Sequence, residues 1–390
     1  MNLKLCLKAA AITASLTGAL FAQATVSHWV DHKAAPGCKH AMTPGVELSF
    51  NHLASDVPVG TTLTLGDMPE AQLPYYLDKD VKVFGTIVVR PGTWIYGGTY
   101  SILASDACDA NHNANSYGSS LLIMEHGSAN MVGKSDSTIV MTGFGDDYRD
   151  LACFGPGVKG TWGGLIIKGM APVSNAPDTN GNYPTMEGIA TYEPDSVKTN
   201  GKGPFDSADN SGTYQYLSIR HGGAGRSTNS EINGISFYGV GAGTQMDHIE
   251  VMSNYDDGVE FFGGNVNVKY LCISFCDDDQ FDLDQGYSGH IQFALGVELN
   301  WMGNRCGEWD NLKNRRDGYH TLTGPTIANM TVIGCGKYTT NTVENQNYGA
   351  NYLFQLADSL KGTYRNILAL DQMGKAFWMR DHDIVCAGGR

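Results

Sequence analysis

The chain has 390 residues, 42% of them hydrophobic, with 26 basic against 40 acidic side chains and a formal net charge of −14. This length and apolar content suit one or two globular domains and exclude a disordered chain. The acidic balance argues against a nucleic-acid partner, which calls for a basic surface, and glycine at 49 positions favours the many tight turns of an all-β architecture.

Residues 1–24 read as a secretory signal peptide. Lys4 and Lys8 supply the basic start, an apolar run extends from Ala9 to Phe21, and Ala22-Gln23-Ala24 is an A-x-A cleavage site. Cys6 precedes the apolar run and is not placed as a lipoprotein cysteine. Cleavage after Ala24 takes the net charge from −14 to −16, because Lys4 and Lys8 leave with the signal. No other apolar stretch approaches the roughly 18 residues of a membrane span. The sequence therefore predicts a soluble secreted chain with no membrane span, outside the cell or in the periplasm. Eight cysteines remain: Cys38, Cys108, Cys153, Cys272, Cys276, Cys306, Cys335 and Cys386. An even number in an exported chain fits disulfides, but no pairing follows from sequence, and free buried thiols are the alternative.

Residues 25–80 lack a repeat and read as an N-terminal cap segment over an edge that would otherwise invite pairing. His28, His32 and His40 lie here with Cys38, at spacings that fit no standard zinc site. From residue 81 to 390 the sequence predicts one domain. "IVVRPGTWIYG" (87–97) resembles "LIMEHGSANMVG" (122–133), and "TIVMTG" and "TWGGLIIKG" follow. Inserts near 100–120, 145–160 and 175–210 are expected to project as loops. In the last of these, Asp178, Asn180 and Asn182 have calcium-loop spacing but lack the glycine and terminal acid of such a loop. They read as an ordinary turn.

The period becomes clear in the second half. "MDHIEVMSNYDDGVEFFGG" from Met246 aligns without a gap on "VKYLCISFCDDDQFDLDQG" from Val268, 22 residues later. "NGISFYG" from Asn233 lies on "DGVEFFG" at an offset of 24, and "YLSI" from Tyr216 lies on "HIEV" at 32. Each unit holds two short apolar strands and a polar turn, without a 3.6-residue period. That is the signature of a β-solenoid coil. After Gly324, "TIANMTVIGCG", "YLFQLAD", "YRNILAL" and "AFWMRD" continue the pattern.

Four segments, "TWGGLIIKGMAPVSN", "EINGISFYGVGAGT", "NYDDGVEFFGGNVNVKYL" and "DDDQFDLDQGYSGHIQF", together resemble a family of exported bacterial proteins of the pectin-lyase-like kind. The resemblance covers roughly Val81 to Asp381 and implies a right-handed parallel β-helix. It implies little about function, which resides in sites grafted on folds. Gln280 and Gln285 stand where the family's acidic rung is often acidic.

Strand alternation places Val259, Phe261, Phe281 and Leu283 in the core, and Glu260 and Asp282 on the outer face. Coils about 4.8 Å apart then stack Asp256 on Asp278, Asp257 on Asp279 and Glu260 on Asp282. Like charges near 5 Å repel by roughly 3 kcal/mol at an effective dielectric of about 20, less where water and salt screen an exposed face. Calcium would offset this, with Asp256, Asp257, Glu260, Asp278, Asp279, Asp282 and Asp284 as oxygen ligands. Proton sharing is an alternative, as is pairing with Lys269, His290, Arg305, Arg315 or Arg316. An exposed, solvated acidic turn is the plainest alternative.

Three functions follow. The first is a secreted, calcium-stabilised surface or matrix protein that binds extracellular polysaccharide or a cell-surface component. The second is a calcium-dependent uronate lyase, for which Arg220 and His221, with Arg226 nearby, are the candidate bases. For Arg220 a surface ion pair with the acids is the simpler reading. The third is a self-assembling coat or filament subunit. Glu260 and Asp282 form a conceivable glycosidase pair, but one rung of spacing is what any solenoid repeat produces, and the Gly-His-Gly and Arg-x-Lys signatures of β-helix galacturonases are absent. Trp162, Trp301, Trp309 and Trp378 suit sugar stacking if exposed, with a turn or core role expected for Trp162.

Overall fold

The computed structural model describes residues 26–30, 49–66, 74–98, 118–146, 154–174, 205–225, 231–300, 302–311, 322–337 and 352–379. The signal peptide, Cys6, Cys38, Cys108, Cys153, Cys386, His32, His40, Asp178, Asn180, Asn182, Arg226, Trp301, Arg315 and Arg316 lie outside these residues, as do most of the expected loop inserts.

The chain coils into a right-handed parallel β-helix. The described strands form two sheets that face each other across the core, one of fourteen strands and one of nine. Successive coils alternate between them. The larger sheet stacks Gly212–Arg220, Gln245–Met252, Asn267–Ser274, His290–Val297, Thr326–Ile333 and Thr363–Leu370. The smaller stacks Leu165–Lys168, Ile235–Tyr238, Val259–Phe262, Asp279–Asp284, Arg305–Trp309, Tyr352–Leu356 and Lys375–Met379. The register is the one the sequence offsets predict: Ile249 lies opposite Leu271, Ile235 opposite Val259 and Leu217 opposite Ile249.

Among the described strands only Val26–Val30 runs antiparallel, against Ser49–Leu53. Ser49–Leu53 is already parallel to Tyr75–Leu77. The boundary expected near residue 81 therefore falls inside a run of parallel pairing. Strands of only three residues, such as Tyr75–Leu77 and Val81–Val83, are too short to reveal a period in sequence.

Inward side chains stack on their equivalents one coil away. Phe237 lies 4.4 Å from Phe261, ring centre to ring centre, with the ring planes nearly parallel, and Phe261 lies 4.3 Å from Tyr287. Trp162 is fully buried and donates its indole N–H to Arg220 O at 2.7 Å, and Trp309 is buried as well. Both serve the core. The described cysteines, Cys272, Cys276, Cys306 and Cys335, are free thiols. Among the described residues no helix is long and apolar enough to cross a membrane.

The larger sheet bends in mid-strand. Tyr216, His248, Tyr270, Phe293, Asn329 and Asn366 occupy one position in six successive coils, all with φ between 48° and 61°. The paired ladder skips this column. A left-handed conformation costs a side-chain-bearing residue about 1 kcal/mol or more, and stacking between neighbours in the column offsets part of it.

Entry to the smaller sheet needs glycine for space. A Cβ on Gly258 would come within 2.1 Å of Ile273 Cγ2 and 2.8 Å of Gln280 O, and one on Gly234 meets Val251 in the same way. We expect Gly258→Ala to destabilise the fold by about 1–3 kcal/mol, whereas Gly155→Ala, with nothing within 4 Å, stays within about 0.5 kcal/mol of the parent. Denaturant melts of the two variants check this; equal midpoints would refute the packing argument.

Candidate functional site

The acidic column grows out of strand alternation. Val259 and Phe261 fill the interior stack, which turns Glu260 to the opposite face. The corner before it is fixed by Asn254, whose side-chain amide donates to Ile232 O at 3.0 Å and Asp257 O at 2.8 Å. Asp257 Oδ1 in turn accepts the backbone N–H of Asp279 from the next coil at 2.9 Å. Backbone register thus carries each acid onto the acid of its neighbour: Glu260 lies opposite Asp282, and Asp282 opposite Glu308.

Two groups of carboxylates converge. Asp256, Asp257 and Asp278 offer oxygens within 4.8 Å of one another, and so do Asp257, Glu260 and Asp282. Asp257 belongs to both. The remaining two expected ligands turn elsewhere. Asp279 is buried and forms an ion pair with Arg305 Nη1 at 3.3 Å. Asp284 is paired with Asp310 in the following coil.

The expected solvated face is instead largely buried, which corrects the screening assumed from sequence. Glu260 and Asp257 are each 6% exposed, and Asp279 is 2% exposed. The earlier coils of the same outer face carry Leu122, Met124, Ile166 and Tyr238, and the Glu260 strand itself carries Phe262, an apolar cluster completed by Ile232 and by partly buried Phe84. A second hydrophobic layer therefore lies outside the sheet, and the acids continue it. Burial is the main reason the carboxyls of Asp257, Asp279 and Asp282 titrate well above the ordinary range, and acidic neighbours add to it. Burial also lifts Asp284 to about 6 and Asp310 to about 9.

Asp282 is the most exposed to this conflict. Among the described residues its Oδ1 is buried without a hydrogen-bond partner, and after burial the largest influences on it, from Asp257, Glu308, Asp310 and Asp284, are all negative charges. Elsewhere cations intervene. Arg305 also donates to Glu308 at 2.5 Å, and Lys159 pairs with Asp277 while its ammonium sits 5.4 Å over the Tyr255 ring. Neutral donors help too: Asn233 Nδ2 reaches Glu260 at 2.6 Å and Asn304 Nδ2 reaches Asp278 at 2.6 Å. Of the cations considered from sequence, Arg305 serves the column, while Lys269 and His290 stand on the larger sheet.

The donors that converge are all carboxylate oxygens. They suit a hard divalent cation such as calcium, which takes six to eight oxygens and tolerates irregular geometry. Asp257, Glu260 and Asp282 would hold it, with Asp256 and Asp278 at an adjoining position. A cation there would supply charge neutralisation that no group named among the described residues provides for Asp282.

Arg220 and His221 stand at the end of a larger-sheet strand. Arg220 donates to Ser218 Oγ at 2.7 Å and to Glu250 at 3.1 Å. His221 is 1% exposed, its Nδ1 bonds Val158 O at 2.6 Å, and burial lowers its pKa to about 4, so it is neutral near pH 7. One is a paired surface cation and the other a buried structural imidazole. Glu260 and Asp282 offer oxygens within 4.8 Å of each other, which leaves no room between them for the water of an inverting glycosidase pair.

Glu308 and Asp310 extend the column and were not expected from sequence. Their signal was present: "EWD" at 308–310 repeats "DLD" at 282–284, but four extra residues in that coil break the 22-residue offset.

The buried acids set a pH dependence. Their raised pKa values mean the folded chain holds protons that the unfolded chain releases above about pH 4. Their contribution to stability is complete below that and is lost as pH climbs through about 6 for Asp284 and about 9 for Asp310, and through about 7 for Glu298, a separate buried acid just after the strand His290–Val297. Without divalent cation the melting temperature should fall from pH 5 to pH 9 in calorimetry; a rise over that range contradicts the assignment.

No curated protein and no solved structure matches the chain. The sequence pattern of the pectate-lyase-like β-helix domain matches residues 71–380, most of the chain and both acid groups. With its parallel coils and in-register ladders, the chain belongs to the pectate-lyase-like β-helix domain family.

Proposed function

We propose that the chain is a secreted, calcium-stabilised β-helix protein of a cell surface or extracellular matrix that binds polysaccharide. The observation that carries the calcium assignment is the buried, donor-free Oδ1 of Asp282, set beside Asp257 and Glu260. A desolvated carboxylate without a counter-charge either takes a proton or takes a cation, and three carboxylates within 4.8 Å favour the cation. The polysaccharide assignment rests on the pectate-lyase-like family. Secretion rests on the basic start, apolar run and A-x-A site of residues 1–24.

Calcium here is structural. A lyase also needs a base beside the metal, and Arg220 is held by Glu250 while His221 is buried and neutral. Incubation with polygalacturonate and calcium should therefore leave the absorbance of unsaturated uronate unchanged, and a rise that chelator abolishes would favour the lyase. A second reading, assembly of coils into a coat or filament, draws on one observation. Six of the eleven exposed large hydrophobics among the described residues, Tyr364, Leu368, Leu370, Met373, Phe377 and Met379, lie on or between the last described strands. Concentration-dependent sedimentation would support it.

The central test is a melt of calcium-free protein with and without added calcium. Saturation to about 100 times Kd should add roughly 2.7 kcal/mol and release protons into a weakly buffered solution. Asp282→Asn should abolish the shift without lowering the calcium-free melting temperature, because it removes repulsion. No shift at millimolar calcium would end the metal assignment.

A further inference from the structure

The bend of the larger sheet carries a second feature, separate from the acids. Tyr216, His248, Tyr270 and Phe293 hold the left-handed position in four successive coils. Their rings stack at 4.3, 4.5 and 5.1 Å, with planes within 25° of parallel. Tyr270 and Phe293 remain 47% and 42% exposed. Stacking uses up the ring faces, so the surface shows a ridge of ring edges parallel to the solenoid axis. Ring edges carry the positive end of the aromatic quadrupole and favour oxygen atoms.

Beside the ridge runs a polar column in register: Gln215, Asp247, Lys269 and Gln292. Asp247 is held from both sides, by Gln215 Nε2 at 2.8 Å and by His248 Nδ1 at 2.7 Å. The side chains of Lys269 and Gln292 and the hydroxyls of Tyr216 and Tyr270 make no hydrogen bond among the described residues. Hydrogen-bonding groups therefore repeat once per coil along an apolar edge. The local charges balance: Asp247 faces Lys269 in register, and Glu250 is paired with Arg220.

We propose that this ridge binds an extended neutral polysaccharide laid along the solenoid axis. It deepens the polysaccharide reading above, on which it rests, by naming the surface and the glycan class. Coils repeat about every 4.8 Å, close to the step between sugars in an extended chain of pyranose rings. Consecutive sugars thus meet consecutive coils, with ring and glycosidic oxygens on the ring edges and hydroxyls on the polar column. An anionic glycan gains nothing here, since the ridge has no excess cation and the chain carries −14.

The fold itself supplies the test variants. Asn329 and Asn366 fill the same column in the next two coils at φ 56° and 53°, and Asn366 donates to Asn329 at 2.6 Å. Tyr270→Asn and Phe293→Asn therefore keep the backbone conformation while removing the ring edges. Affinity electrophoresis in gels containing hydroxyethylcellulose, or polygalacturonate with and without calcium, reads the outcome. The parent should be retarded by hydroxyethylcellulose in chelator. Each variant should bind about tenfold more weakly at an unchanged melting temperature. Equal retention of the double variant overturns the assignment. So does retention by polygalacturonate alone that chelator abolishes, although the general polysaccharide reading then stands.

Discussion

Every coil of this molecule is hydrogen-bonded to the next in parallel register, and that single constraint puts like residue on like. In the interior it is favourable, because Phe237, Phe261 and Tyr287 stack in one line. At the bend it is tolerable, because six left-handed residues share a column in which rings and amides contact each other. On the outer face of the smaller sheet it is adverse, because the same geometry lines up Glu260, Asp282 and Glu308.

The adverse part is sharpened by burial. An exposed acidic turn loses most of its repulsion to water and salt. Here the outer face is covered, as its apolar coils at Leu122, Ile166 and Phe262 show, and desolvation becomes the largest cause of every raised carboxyl. The chain meets the charge in different ways along the column. Arg305 compensates Asp279 and Glu308, Lys159 compensates Asp277, and Asp284 shares with Asp310. Among the described residues Asp282 has no such partner, so it is where an added cation gains the most.

Much of the fold was legible in the sequence because coil length is a sequence quantity. Offsets of 22, 24 and 32 translate directly into strand register, and that register brings Asp256, Asp257, Glu260, Asp278 and Asp282 together. What failed to show has physical reasons. A four-residue insertion hid Glu308 and Asp310. Burial of the acids was invisible, because a covering layer is a long-range property with no local pattern. Asp279 was assigned to the metal set because stacking alone cannot reveal that Arg305, in the next coil, reaches it first. The left-handed column was missed because tyrosine, histidine and phenylalanine rarely adopt that backbone, and the stacking that offsets part of its cost is made between coils.

The location of the acid groups along the stack bears on how the molecule comes apart. A solenoid is coupled only between adjacent coils, so its cooperativity is as strong as its weakest junction. The acid coils lie well inside the stack, with parallel coils on both sides running from Ser49 to Met379. Left uncompensated, they make an internal fault line at which the two halves can separate and unfold on their own schedules. A cation bound across that junction would act as a rivet, joining two folding units into one.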